Sequence, residues 1–234
     1  VKRVHTAALL GRLVAYGEAD AVVTLLTEAE GKVSAMVRGA RKAGRRLGGA
    51  LEPFHTLEVS YDDRGGELVA LREASLIRIR TGIVSRLDVL DAAGRALRWA
   101  RHLFPARSAE PRAWAALLDG LDALDEPACN PPLELARFGM LLLADLGYAI
   151  DFEQCVRCGR PCPPERAACI DAARGGLVCS QCGGAPRVID AATRAVARAL
   201  LAGERVGASP EQAETLVHLA EDAMAVHAGY GGAG

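Results

Sequence analysis

Aromatic side chains make up only 4% of this chain, and residues 1–80 hold just three, Tyr16, Phe54 and Tyr61. That scarcity excludes a binding surface built mainly on stacked rings. No apolar run approaches the ~20 residues needed to cross a bilayer, so a membrane-spanning helix is not expected. No Gly-x-Ser-x-Gly nucleophile motif occurs, and no cluster of Asp and Glu is spaced to hold magnesium for a nuclease. The five histidines, His5, His55, His102, His218 and His227, lie in unrelated contexts without ligand spacing, and read as surface or hydrogen-bonded core residues. The stretch from Gly39 to Arg46 superficially echoes a Walker A loop but lacks the Lys-Ser/Thr ending that reaches phosphate and magnesium, so ATP binding is not expected. Lysine occurs 3 times against 25 arginines, a bias that reflects genome composition. No secretory signal is recognisable, and the expectation is a reducing, cytoplasmic setting.

Cysteine is present, in a pattern. Cys155-Val-Arg-Cys158 is followed by twenty residues and then by Cys179-Ser-Gln-Cys182. Two Cys-x-x-Cys knuckles at this separation match a four-cysteine zinc site, each placing two thiolates on one tight turn. Gly159 follows the first pair and Gly183-Gly184 the second, where positive φ carries no Cβ penalty. Arg174-Gly-Gly-Leu177 suits a hairpin that delivers the second pair. A redox disulfide would need one such pair beside a βαβ unit, and zinc is a commoner occupant of two knuckles than an iron–sulfur cluster. Cys162 and Cys169 lie inside the insert and read as free, partly buried thiols, though either is a conceivable replacement ligand. With four sulfurs bound, such a zinc keeps no position for a catalytic water and holds the fold together, one ion per chain.

Half the residues are apolar, enough to bury a substantial core. Five short strands are expected in residues 1–80: residues 4–15, 21–27, Lys32–Arg38, around Leu57–Tyr61, and Glu67–Arg72. Turns fall at Tyr16–Asp20, Glu28–Gly31 and Asp63–Gly66. In the third strand Val33, Ala35 and Val37 alternate with Lys32, Ser34, Met36 and Arg38. Five strands with one long excursion between the third and fourth suggest a small closed barrel of the oligonucleotide-binding (OB) type. The period then becomes helical. Helices are expected at Ser85–Leu103, with Leu87, Leu90 and Leu97 buried, at Trp114–Leu124, at Leu133–Leu146, from Asp190 to Ala202, and from the capped start Ser209-Pro210. The fold class is therefore α+β. Its expected parts are a barrel domain (1–80), a helical domain (81–150), a zinc module (151–187), the rest of the helical domain (188–228) and a disordered tail (229–234).

The net charge is −1 but unevenly placed, with 13 basic and 10 acidic residues in 1–80 against 15 and 19 in 81–234. From Gly31 to Leu51 no acidic residue occurs, while Lys32, Arg38, Arg41, Lys42, Arg45 and Arg46 alternate with glycines. A glycine-flexed loop with six positive charges suits phosphate tracking, although charge runs are often only solvated. On the first helix, Asp88, Asp91, Arg95, Arg98 and His102 form an exposed arc, acids first, as the helix dipole favours.

Several segments together resemble the bacterial RecO family of recombination mediators: Tyr16-Gly-Glu-Ala-Asp20, Gly31-Lys-Val-Ser34, Arg38-Gly-Ala-Arg-Lys42, Gly48-Gly-Ala-Leu-Glu-Pro-Phe54, Leu146-Gly-Tyr148 and the four-cysteine set. They occur in the family's order from residue 16 to 182. The resemblance implies an N-terminal OB barrel, a helical domain and an inserted zinc module. It also implies a non-enzymatic protein that binds single- and double-stranded DNA and anneals complementary strands, working with RecR and the single-stranded-DNA-binding protein to load RecA. It further implies capture of the acidic, apolar-ended tail of the single-stranded-DNA-binding protein by the helical domain, for which Arg95, Arg98 and Arg137 are candidates. A nucleoid-associated cytoplasmic location follows. The alternative from a different class is a zinc-stabilised protein-interaction scaffold whose basic loop meets an acidic partner.

Overall fold

The computed structural model describes residues 1–40 and 50–231. The chain forms two compact units, Val1–Pro127 and Ala128–Gly234.

In the first unit, β1 (Lys2–Tyr16), β2 (Asp20–Thr27), β3 (Gly31–Val37), β4 (Thr56–Asp63) and β5 (Leu68–Arg78) close a barrel in the order β1-β2-β3-β5-β4. Closure runs through a short parallel pairing of β3 with β5, Ser34 opposite Leu68 and Met36 opposite Ala70. The alternation expected in β3 is present: Val33, Ala35 and Val37 are fully buried, joined inside the barrel by Val23, Leu25, Leu57, Val59, Tyr61 and Val69. β5 ends six residues later than its apolar pattern suggests, because Ser75 to Arg78 continue the ladder with β4 while remaining exposed.

Among the described residues, the two long helices of this unit are α1 (Leu87–Leu103) and α2 (Pro111–Asp125). The buried face of α1 is Val89, Ala92, Ala93, Ala96, Leu97, Trp99 and Ala100. This corrects the expectation for Leu87, which is 83% exposed: it occupies the first helical position, before the turn that reaches the core. The α1–α2 linker is stitched to the barrel at β3, with Lys32 N–H donating to Pro105 O at 3.0 Å and Arg107 N–H to Lys32 O at 3.2 Å. Gly31 permits this approach. Its φ is +60°, and a Cβ there would collide with the carbonyl oxygens of Pro105 and Ser108. Where the chain leaves β5, the fully buried Arg80 donates to Phe54 O, Thr56 Oγ1 and the Asp122 carboxylate of α2.

In the second unit, α3 (Pro131–Asp145) packs on α5 (Pro210–Ala228), with α4 (Ala191–Leu201) against both. The caps follow the sequence. Asn130 and Asp190 accept from Leu133 N–H and Thr193 N–H, and Ser209 with Gln212 closes a capping box. Between α3 and α4 lies a small sheet, β6 (Asp151–Cys155), β7 (Ala168–Asp171), β8 (Gly176–Leu177) and β9 (Arg187–Ile189), in the order β6-β8-β7-β9. Of the expected tail, Gly229 ends α5 in a left-handed conformation, and residues 232–234 lie outside the described residues.

Candidate metal centre and nucleic-acid interface

The first cysteine knuckle is the tip of a hairpin. Cys155 N–H donates to Arg160 O at 2.9 Å and Gly159 N–H to Cys155 O at 2.8 Å, with Gly159 at φ +71°. The second knuckle is a 3-10 turn over Ser180–Cys182, delivered by the β7–β8 hairpin in which Ile170 faces Leu177. Arg157 of the first knuckle donates to Cys182 O at 2.8 Å, fastening the two together. The sulfurs of Cys155, Cys158, Cys179 and Cys182 all lie within 4.8 Å of one another, and those of Cys158 and Cys179 are 3.7 Å apart. A tetrahedral zinc with sulfur at about 2.3 Å separates its ligand atoms by roughly 3.8 Å, so the four cysteines fit such an ion. Among the described residues, neither Cys162 nor Cys169 belongs to this group.

As bare thiols, Cys155 and Cys182 are shifted in opposite directions. The Cys179 N–H, 3.4 Å from the Cys155 sulfur, brings that thiol down to about 6 against an opposing burial penalty. Hydrogen bonding with Cys158 and Cys179, then burial, pushes Cys182 up to about 12. A bound cation removes the need to share protons, since coordinating thiols lose theirs.

The insert between the knuckles is held by Arg194 of α4, which is 1% exposed. Its guanidinium donates to Phe152 O (2.8 Å), Arg166 O (2.7 Å), Pro163 O (2.9 Å), Cys162 O (3.2 Å) and the Cys162 sulfur (3.2 Å). Nothing in its surrounding sequence distinguishes this arginine from the solvated ones.

Of the expected DNA contacts, Arg41, Lys42, Arg45 and Arg46 lie outside the described residues. Lys32 is half-buried and donates to Arg101 O at 3.0 Å, and burial together with the nearby Arg101 charge lowers its pKa. Arg38 is exposed and lines an outer groove of about 580 Å³ between β3, β5 and the β4–β5 turn. Arg64 and Arg72 line the same groove, as do Met36, Leu68 and Asp62. The Asp62 carboxylate is clasped by Arg3 at 2.8 Å and Arg72 at 2.7 Å, hydrogen bonds that hold its pKa at about 2. Arg64 and Arg72 escaped notice because the first reads as part of a turn and the second as an outward strand residue.

Of the three aromatic residues in the barrel half, Phe54 and Tyr61 are buried and Tyr16 is 59% exposed. The Tyr61 hydroxyl donates to Glu30, whose carboxylate also accepts from Lys2 and Arg107. Burial opposes the Glu30 charge, but these bonds outweigh it and leave the carboxyl below its ordinary range. Arg107 also reaches Asp63 and Gly66 O, bracing the turn that carries Arg64. Arg95 and Arg98 lie on α1 in the first unit, the former 5.7 Å over the Trp99 ring, whereas Arg137 lies on α3 in the second unit. Among the described residues no helix is long and apolar enough to cross a membrane.

Comparison with known proteins agrees with this architecture. Residues 1–80 match the family model "Recombination protein O N terminal" and residues 85–229 match "Recombination protein O C terminal". Proteins named DNA repair protein RecO are similar along most of the chain. One from Anaeromyxobacter sp. (strain Fw109-5) is 40% identical over 96% of this chain and 89% of its own length. Another, from Myxococcus xanthus, is 35% identical over 90% of this chain and 86% of its own, and one from Geobacter sulfurreducens is 37% identical over 73% and 70%. With the barrel, the helices and the four-cysteine cluster in place, the chain belongs to the RecO family of DNA repair proteins.

Proposed function

We propose that the protein binds single- and double-stranded DNA through its barrel unit, anneals complementary strands, and helps load RecA onto DNA covered by the single-stranded-DNA-binding protein, with RecR as a partner. The observation that carries this reading is the outer groove of an OB-type barrel, lined by Arg38, Arg64 and Arg72, whose lining carboxylate, Asp62, is already clasped by Arg3 and Arg72. The basic segment Arg41, Lys42, Arg45 and Arg46 follows Arg38 in sequence and adds four charges. Phosphates are the chemistry such a surface recognises, and a surface that holds phosphates without gripping bases leaves those bases free to pair.

The role is non-enzymatic and is exercised in the cytoplasm at the nucleoid. In the cysteine cluster we place one structural zinc per chain, held by Cys155, Cys158, Cys179 and Cys182. Four sulfurs complete a tetrahedron and leave no position for a reacting water. Arg95, Arg98 and Arg137 are proposed contacts for the acidic tail of the single-stranded-DNA-binding protein. Because they belong to two units, charge reversal is made at α1 and at Arg137 separately, and unchanged tail affinity in both removes them.

The deciding experiment is a DNA-binding titration across salt. For single strands, affinity falls with a slope of about −0.7 per contacted phosphate. Replacing Arg41, Lys42, Arg45 and Arg46 by Ala weakens binding, flattens the slope and reduces annealing while the fold persists. Salt-independent or undetectable DNA binding by the intact protein leaves the interaction scaffold as the function.

A further inference from the structure

The insert between the knuckles holds two cysteines that the metal set does not use, and the local register places one of them beside a ligand. Gln154 bridges Pro161 in antiparallel sense, flanked by Cys155 N–H to Arg160 O and Cys162 N–H to Glu153 O at 2.8 Å. In that register Glu153 faces Cys162 and Cys155 faces Arg160, so Cys155 and Cys162 are diagonal neighbours on one face of the hairpin. Such neighbours lie about 7–8 Å apart in Cα, just beyond the roughly 7 Å limit for a disulfide. A small shift of the knuckle closes the gap.

We propose that Cys162 is oxidised by hydroperoxides and that its oxidised sulfur is captured by Cys155, which withdraws one sulfur from the metal-binding set. The inference rests on the metal reading above. A cavity of about 300 Å³, lined by Cys155, Cys162, Cys169 and Cys179 with Arg160 and Arg166 on its wall, gives a small oxidant access to these sulfurs. Arg194 is a buried cation whose contacts named above are carbonyl oxygens and the Cys162 sulfur. A buried charge without a carboxylate favours an anion beside it, and a sulfenate at Cys162 supplies one. Cys169 is the weaker partner, because it lies on β7, where its carbonyl accepts from Val178 N–H, and not on the Cys155 hairpin.

The chemistry balances in two steps. The Cys162 sulfur donates an electron pair to the peroxide; a sulfur–oxygen bond forms, the oxygen–oxygen bond breaks, and the alcohol or water leaves with a proton. The sulfenate takes up a proton and the Cys155 thiolate then attacks the sulfur of the resulting sulfenic acid; a disulfide forms and hydroxide departs, taking a second proton from solvent to become water. Two thiols are oxidised and one peroxide is reduced. The metal changes no oxidation state and loses a ligand.

The test treats the zinc-loaded full chain with hydrogen peroxide, follows zinc release with a chromogenic chelator and maps disulfides by mass spectrometry. The expected result is a Cys155–Cys162 linked peptide, release slowed about tenfold in Cys162→Ala, and unchanged release in Cys169→Ala. Cys162→Ser keeps an acceptor for Arg194 and must match the parent in zinc content before peroxide is added, which separates a folding defect from lost redox chemistry. Equal release from parent and Cys162→Ser, or disulfides confined to the pairs Cys155–Cys158 and Cys179–Cys182, overturns the proposal. If the purified chain holds no zinc, the metal reading fails, yet the presence or absence of the Cys155–Cys162 peptide after peroxide still decides the pairing.

Discussion

Arg194 of α4 places two nitrogens on the carbonyl oxygen of Phe152, at 2.8 and 3.2 Å, tying that helix to the strand that opens the cysteine module. The same guanidinium gathers three further carbonyls from the insert, so one side chain fixes a segment with little regular structure of its own. Removing it leaves at least the Phe152 oxygen buried and unsatisfied, a cost of about 1–3 kcal/mol before the lost contacts are counted. Arg194→Met is expected to destabilise the second unit by about 2 kcal/mol or more, read as faster hydrogen exchange across residues 151–170. Arg194→Lys does not restore protection, because an ammonium on a flexible stem cannot reproduce the planar fork. Parent-like exchange in Arg194→Met shows that the insert is held by other means.

The four-cysteine cluster makes a separate prediction. Metal binding supplies most of the folding free energy of small cysteine modules, on the order of 10 kcal/mol in zinc-finger peptides. Cys158→Ser is therefore expected to abolish stoichiometric zinc and to unfold residues 150–185, while leaving the proposed DNA contacts of the barrel in place. Elemental analysis of freshly purified parent protein should give about one zinc per chain. Loss of metal from Cys162→Ser before any oxidant is added places Cys162 among the ligands instead.

The barrel and the cysteine cluster were legible in sequence for different reasons. Val33, Ala35 and Val37 alternate because one face of β3 is core and the other is not, a period that survives without knowledge of neighbours. The knuckles were legible because a tetrahedral site demands fixed ligand spacing. The second half of β5 was not, since Ser75 to Arg78 pair with β4 while leaving both faces exposed, and no apolar period marks them. β6 to β9 are at most five residues each, too short for any periodicity to register. Arg80 and Arg194 were hidden for a deeper reason. An arginine becomes internal through the oxygens that converge on it, and these come from residues 24 to 42 positions away in the chain. The groove at Arg38, Arg64 and Arg72 likewise exists only once β3 and β5 are paired.

Asp62 gives the barrel a defined acid sensitivity. Its free carboxyl titrates near 3.9, whereas the hydrogen bonds from Arg3 and Arg72 hold it at about 2 in the folded barrel. A depressed folded pKa contributes stability that is complete above about pH 4 and disappears as pH falls toward 2. Glu30, Asp63 and Asp88 are shifted in the same direction and add to the loss. Asp62→Asn is expected to lower the urea midpoint at pH 7 and to flatten its decline between pH 4 and 2. Trp99 and Trp114 both lie in the first unit, so their fluorescence reports this unfolding. A decline as steep in Asp62→Asn as in the parent assigns the acid sensitivity to other carboxylates.

The last prediction separates phosphate contact from base stacking on the barrel. A stacked base contributes about 1–3 kcal/mol on an aromatic platform, but Tyr16 is the sole exposed ring among the three in this half, with Phe54 and Tyr61 sealed inside. The charges are more numerous: Arg38, Arg64 and Arg72 in the groove, and Arg41, Lys42, Arg45 and Arg46 in the segment after it. Electrostatics should therefore dominate, giving little sequence preference and similar affinity for single and double strands. The double variant Arg38→Ala/Arg64→Ala spares the Asp62 clasp, and it is expected to reduce the single-strand salt slope by about 1.4, two phosphates' worth. Tyr16→Ala should leave that slope unchanged and cost at most the single-base figure. Arg72→Ala is the less clean probe, because it also leaves Asp62 with Arg3 alone. An unchanged slope in the double variant, with a large loss in Tyr16→Ala, means that bases and not phosphates are what the barrel holds. Annealing would then need a different explanation, since gripped bases are not free to pair.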